Sequence, residues 1–351
     1  MEVGGTQRIY RFAAWAVMAA LALGAASCAK HAAPTAPSPP LTAVPTPTPV
    51  YSLLNGVQIA RGSDHHRIAA VMIDNYPYDA RPQSGLHDAD IVYEVEAEGG
   101  ITRYMALYLE KTPAKIGPVR SARLYFVDLA RPYDPLYAHA GENDDVWGPL
   151  KDLRDDGFAD MDQIVGTPEA FWRDDSREMP HNLYTSIAKM RHTAPEYGYK
   201  DAPLDAEEFA FTPDPPAPAD PSDVVLTFWL GYKVRYRPAG SAYIRMIGAD
   251  VQHDLGDMRP YIVSDIVAVW IPAKVIDSLG DLTMDVYGRF PAVLVRNGVA
   301  TKGQWVAPGP NTMPELLDGS GNAIPLAPGQ IYVEVLPQGG TLATGKNIWS
   351  Y

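Results

Sequence analysis

Short apolar runs separated by turn-forming residues dominate the chain from residue 69 onward, and that rhythm predicts strands. Residues 69–73 form a continuous apolar run, as expected of a buried strand. Residues 91–97 and 101–109 read as two more strands, joined by Gly99-Gly100, a pair suited to the positive φ angles of a tight hairpin turn. Residues 121–130, 144–154 and 186–192 look helical, and residues 136–140 return to strand. Beyond a proline-rich break at 213–221, strands are expected at 224–229, 266–271, 282–286, 292–295 and 331–336, with Asn297-Gly298 marking a type I′ hairpin. The expected fold class is α+β (or α/β) for a first domain over residues 59–212, with a β-hairpin and flanking helices. A mostly-β second domain is expected over 223–351, with residues 213–222 as a linker.

A two-residue turn at Gly99-Gly100 sets Glu98 opposite Ile101, Glu96 opposite Arg103 and Glu94 opposite Met105. Alternation then places Glu94, Glu96 and Glu98 on one face, about 6.8 Å apart in succession. Ile91, Tyr93, Val95 and Ala97 take the other face with Tyr104, Ala106 and Tyr108, which reads as the core side. Three carboxylates on one face raise at least one pKa unless cations sit among them. Arg103 is one such cation by cross-strand pairing. Arg120 and Arg123 lie at the start of the helix expected from Ser121, where free N–H groups and the helix dipole favour an anion. Two readings follow: a cleft of carboxylates and arginines for a polar, anionic ligand, or an internal salt-bridge network that orients the hairpin against the helix.

His139 follows a strand and His181 sits in a loop; either can serve as a general acid or base, or be structural. No serine stands with a histidine and an aspartate at a recognisable spacing, and no P-loop, dinucleotide-binding or zinc-protease motif is present. His65-His66 beside Asp64 reads as a solvated loop. No metal and no cofactor is expected.

The N-terminal fifty residues have a different pattern. Arg8 and Arg11 precede an apolar run over 12–26, and small residues lead into Cys28, the only cysteine. A run of about 15 residues is short of the roughly 20 that a membrane-spanning helix needs, so residues 1–27 read as a secretory signal. Gly-Ala-Ala-Ser-Cys28 resembles a bacterial lipobox, with Ala25 where leucine is usual, which makes Cys28 the expected site of lipidation (palmitate among the acyl groups). Residues 28–58 are read as a proline-rich linker. In polyproline II, at about 3.1 Å per residue, roughly 20 such residues hold a domain some 60 Å from the bilayer. The expected place is the extracytoplasmic face of the cell membrane.

Composition narrows the partners. The net charge is −13, which disfavours nucleic acid, since that binding rests on neutralising phosphates. It equally disfavours electrostatic adhesion to anionic lipid. Twenty tyrosines fit either a sugar- or peptide-binding surface or a β-rich core.

Several stretches are similar to the first domain of the YerB-like lipoproteins: Val-Met-Ile-Asp74-Asn75, Ala-Arg81-Pro-Gln-Ser-Gly-Leu, Ala-Asp-Ile-Val-Tyr-Glu94, Glu98-Gly-Gly-Ile-Thr-Arg103, Ile-Gly-Pro-Val-Arg120-Ser-Ala-Arg123, Tyr-Ala-His139-Ala-Gly and Pro-His181-Asn182-Leu-Tyr-Thr. Asn297-Gly298, Gly-Gln-Trp305 and Ala-Pro-Gly-Gln330 resemble the second domain more loosely. The resemblance implies a two-part domain of unknown function, often lipid-anchored, with no activity to carry over. Its charged and turn-forming motif residues make Asp74, Asn75, Arg81, Glu94, Arg103, Arg120, Arg123, His139, His181 and Asn182 the ligand-binding candidates. Glu94, Glu98 and His181 are the catalytic candidates. The preferred expectation is a binder of a cell-wall glycan or peptide. A wall-glycan-cleaving enzyme, whose two carboxyl groups would stand ~5 to 9.5 Å apart, and an envelope protein-interaction module are the alternatives.

Overall fold

One ten-stranded sheet carries the molecule, and strands from both halves of the sequence enter it. The computed structural model describes residues 48–351 apart from 206–208, 214–215, 217 and 219, so the signal segment, Cys28 and most of the first proline-rich stretch lie outside the described residues. The first half supplies β1 (Ala69–Asp74), β2 (Ile91–Glu98), β3 (Ile101–Tyr108), β4 (Leu136–His139) and β5 (Asp160–Asp162). A smaller sheet contains β6 (Val224–Thr227), β7 (Lys233–Ala239) and β8 (Ala242–Ile247). The second half then adds β9 (Asp265–Trp270), β10 (Gly288–Arg296), β11 (Val299–Ala307), β12 (Glu315–Leu317) and β13 (Ile331–Leu336) to the large sheet. Finally β14 (Thr341–Thr344) and β15 (Asn347–Ser350) return to the smaller one. The large sheet runs β12-β11-β10-β9-β13-β2-β3-β1-β4-β5.

The helices are few: α1 (Leu124–Ala130), α2 (Asp144–Asp155) and α3 (Ile187–Thr193) are the α-helices among the described residues. They sit close to the expected helices. Both halves are β-rich, more so than an α+β first domain implied. No helix among the described residues is long and apolar enough to cross a membrane.

The expectation that each half folds around a core of its own is corrected. β13 lies parallel between β9 of its own half and β2 of the first half. Every residue of β13 is buried, as is every residue of β1 and β9, so none of these strands has a face or edge that could stand in water. One side of the large sheet packs Val71, Tyr104, Ala106 and Ala268 against Leu226, Val234 and Tyr236 of the smaller sheet and Ile187 and Met190 of α3. The other packs Met72, Tyr93, Val95 and Val267 against Tyr125 and Phe126 of α1 and Val146 of α2. The proline-rich segment is therefore a crossing between stretches that share one core.

Parallel order decides where the polar residues gather. β1, β4 and β5 are mutually parallel, β2 is antiparallel to β3, which is antiparallel to β1, and so all four of these strands end at one edge of the sheet. Asp74, Glu98, His139 and Asp162 are their last residues. This carboxyl edge is where open sheets containing parallel strands commonly place ligands.

Candidate functional site

The hairpin turn forms as expected, with both Gly99 (φ 59°) and Gly100 (φ 74°) in the left-handed region that glycine adopts without strain. The register beyond it differs from the expectation. Glu98 pairs with Ile101, but Glu96 pairs with Thr102 and Glu94 with Tyr104, because Ala97 is an extra residue in a bulge. That single insertion reverses the side-chain parity of the strand. Glu94 and Glu96 face the smaller sheet together with Thr102 and Tyr104, while Glu98 turns to the opposite side with Arg103.

Glu94 is fully buried, next to Glu334, its register partner on β13 and equally buried. Two carboxylates on adjacent strands repel, and the balancing cation comes from the other sheet. Arg245 of β8, itself completely buried, donates through Nη2 to Glu94 Oε2, and its Nε lies 3.2 Å from the Tyr236 hydroxyl. Tyr236 donates to Glu334 Oε1. The guanidinium carbon stands 5.3 Å from the ring centres of Tyr104 and Tyr332 and 5.8 Å from that of Tyr236. Burial and the charge of Glu94 push the Glu334 carboxyl well above its ordinary range. Glu94 Oε1 is taken as well, by Thr102 Oγ1 at 2.5 Å and Asn75 Nδ2 at 3.1 Å. With both oxygens held and no exposure, Glu94 has no path to a substrate.

Asn75 connects this cluster to the surface. Its amide nitrogen also donates to Thr102 at 2.7 Å and lies 3.2 Å from the Tyr232 hydroxyl; its oxygen accepts from Arg81 Nε at 2.8 Å. Above it opens a cleft of about 300 Å³ lined by Asn75, Pro77, Arg81, Thr102, Leu230 and Tyr232, with Gly100 at the hairpin tip. The Arg81 guanidinium lies over the Tyr232 ring, 5.6 Å from its centre, and has no carboxylate partner among the described residues. Glu96 fixes the opposite wall by accepting from Trp229 N–H at 2.6 Å. Burial pushes the Glu96 carboxyl up to about 7, against the opposing effect of that N–H.

The other candidates form separate groups. Asp74, on the reverse side of β1, lies 2.6 Å from His181 Nδ1 and 3.3 Å from Arg120 Nε; Tyr76 stacks on the His181 ring at 5.2 Å. Arg103 and Arg123, both buried, hold Glu98 at 2.8 and 2.9 Å. Helix α1 starts at Leu124, with Arg123 in extended conformation before it and Ser121 accepting from Arg103, so the anion cradle expected at Ser121 is not formed. His139 is enclosed with Asp160 and Asp162. Asn182 accepts from Arg173.

Comparison with known proteins places these groups in a family. Residues 54–200 match the N-terminal domain, and residues 224–333 the C-terminal domain, of a family described as "Protein of unknown function (DUF3048)". The chain is 30% identical over 292 residues to "Putative lipoprotein YerB" of Bacillus subtilis (strain 168), covering 81% of this chain and 85% of that protein. The chain belongs to the DUF3048 family. The crystal structure of the YerB protein from Bacillus subtilis has a similar fold, with a TM-score of 0.74 at 27% identity, covering 84% of this chain and 99% of that one.

In this DUF3048 chain, Asn75, Arg81 and Glu94 are among the residues the sequence singled out, whereas Arg245, Tyr232 and Glu334 are not. The available signal was parity: Tyr243 and Arg245 occupy alternate positions of an apolar stretch, which puts the arginine on the same inward face as the tyrosine.

Two outcomes test the DUF3048 cluster. Arg245→Met should cost about 3–5 kcal/mol by leaving Glu94 buried without its cation, and adding Glu94→Gln should recover much of the loss. Urea unfolding of both single variants and the double variant measures this coupling; an Arg245→Met protein within about 1 kcal/mol of wild type would contradict it. For Glu96, the folded chain keeps a proton between about pH 4.5 and 7 that the unfolded chain has released, so stability falls as pH rises through that window. Between pH 5 and 8 wild type should lose about 2–3 kcal/mol relative to Glu96→Gln. Asp90, also pushed up to about 7 by burial, is common to both proteins and cancels. Parallel pH dependence of the two would refute the assignment.

Proposed function

We propose that this protein is lipid-anchored through Cys28 at the extracytoplasmic face of the cell membrane and binds a polar cell-wall component, a glycan or peptide, in the cleft beside Arg81. The anchoring follows from the signal-like N-terminus and the lipoprotein name of the Bacillus relative. The observation that carries the binding reading is Arg81: a guanidinium with two N–H groups committed to Asn75, stacked on Tyr232, and with its remaining donors free of any described carboxylate. A ligand carboxylate, such as those of wall stem peptides, completes that ion pair through a charge-assisted fork. Exposed Tyr78 and Leu230, on the two loops that flank the cleft, offer apolar surface to a sugar or peptide backbone.

A hydrolytic reading keeps one supporting observation, the Asp74–His181 pair. A carboxylate at Nδ1 holds the imidazole so that Nε2 can act as a base. The carboxylate pair imagined on the hairpin gives it no support, since Glu94 is enclosed and Glu98 lies on the other side of the strand.

Two measurements test the proposal. Arg81→Ala should weaken binding of purified soluble muropeptides at least about tenfold in calorimetric titration, with a melting temperature near that of wild type. Equal affinity for the two proteins would refute the site, and clearing of a peptidoglycan zymogram that His181→Ala abolishes would favour the hydrolytic reading. Separately, Cys28→Ala should move processed protein from the membrane to the soluble extracytoplasmic fraction; a processed variant as membrane-bound as wild type would refute the anchor.

A further inference from the structure

The ends of β4 and β5 hold a second polar centre. His139 and Asp162 are register partners at the carboxyl ends of these parallel strands, so their side chains leave the sheet side by side. The chain then turns at Gly141, whose φ of 67° suits glycine, and brings Glu142 back beside them. His139 Nδ1 lies 3.0 Å from the Gly141 carbonyl oxygen, 3.8 Å from Asp162 Oδ1 and 3.9 Å from Glu142 Oε2. His139 and Asp162 are completely enclosed, and the Glu142 side chain is only 5% exposed.

Two features distinguish this centre from an ordinary buried ion pair. The first is Glu142 Oε2, a buried carboxylate oxygen aimed at the His139 ring with no hydrogen-bond donor of its own. A group in that position calls for a ligand, because an unmet buried acceptor is costly. The second is the far side of the histidine. Nε2 lies 2.5 Å from Asp160 Oδ1, and the other oxygen of Asp160 accepts from Arg154 at 2.8 Å. A carboxylate on one ring nitrogen fixes the tautomer that presents the other nitrogen to a metal, the usual second layer around a ligating histidine. Asp162 is oriented in the same way, by N–H groups of Gly141, Ile164 and Val165.

We propose that His139 Nδ1, Glu142 and Asp162, with the Gly141 carbonyl, bind one divalent cation of the Zn²⁺ or Mn²⁺ kind. One imidazole and two carboxylates neutralise a charge of +2, and the mixed nitrogen–oxygen donor set without sulfur suits these ions. Bonds of about 2.0–2.2 Å at tetrahedral angles set the donors on one ion roughly 3.4 Å apart. The 3.8 and 3.9 Å distances from Nδ1 are a few tenths of an ångström longer, and the three donor atoms are all within 4.8 Å of one another, so the donors must draw in around the ion. Rotation of Glu142, whose Oε2 no donor holds, closes the remainder. The sequence reading expected no metal, because the donors are spread over 24 residues and only the parallel pairing of β4 with β5 assembles them. The proposal is independent of the wall-binding reading.

The test uses the full chain in detergent, stripped with a chelator and titrated with Zn²⁺ alone. Wild type should take up about one equivalent and gain melting temperature with added Zn²⁺. Glu142→Gln and Asp162→Asn should each weaken binding at least about tenfold, and Asp160→Asn, which does not touch the ion, by about tenfold. Glu142→Gln removes an unpartnered oxygen, so its metal-free melting temperature should equal or exceed that of wild type; this variant decides the matter if Asp162→Asn fails to fold. Failure of wild type to bind, or Zn²⁺ uptake unchanged in Glu142→Gln, overturns the proposal.

Discussion

The contact on which the rest of the structure depends is Arg245 set between the two sheets against Glu94 and Glu334. A fully buried guanidinium costs several kcal/mol to take out of water, and the cost is recovered only when its partners are in place. Those partners come from three separated parts of the chain: Glu94 from the hairpin, Glu334 from the central strand of the second half, and Tyr236 from the smaller sheet. The cluster therefore makes the register of one sheet conditional on the docking of the other. Glu94 is a bracing group here, and its enclosure leaves the surface chemistry to its neighbours.

From that anchor the polar network grades outward. Glu94 holds Asn75, Asn75 holds Arg81, and Arg81 reaches the cleft with donors to spare. Glu94 and Asn75 are both fully buried and Arg81 is half-buried, so a rigid interior positions a group that can meet a ligand. The wall opposite Arg81 hangs on Glu96 through Trp229, a contact whose proton is released near neutral pH. On the far side of the sheet Glu98, Arg103 and Arg123 tie the hairpin to α1, the salt-bridge arrangement that was one of the two readings of these charges. The carboxylates of the hairpin are thus divided between the two faces of one strand.

Much of this was legible in the residues themselves. Hydrophobic runs identified the strands of the sheet's centre, Gly99-Gly100 and Asn297-Gly298 identified two hairpins, and the family motifs singled out Asn75, Arg81 and Asp74. The failures have definite causes. The bulge at Ala97 changes no local pattern, since Glu-Ala-Glu continues to alternate, yet it moves Glu98 across the strand and returns Tyr104 to the side of Glu94. The strands that carry Arg245 lie between proline- and glycine-containing turns in a stretch of mixed polarity, where alternation is exposed on one face only.

The sequence by itself determined what is local: which segments extend, where the chain turns, and which half carries the motif residues, because periodicity and backbone preference act over a few neighbours. Only the tertiary structure decided that the halves share one sheet, that Glu334 stands beside Glu94, that Arg245 closes the pair, and that His139, Glu142 and Asp162 meet. Those outcomes rest on pairing strands distant in sequence. Such pairing is selected by burial of both faces of β13 and β1, a condition no single segment contains.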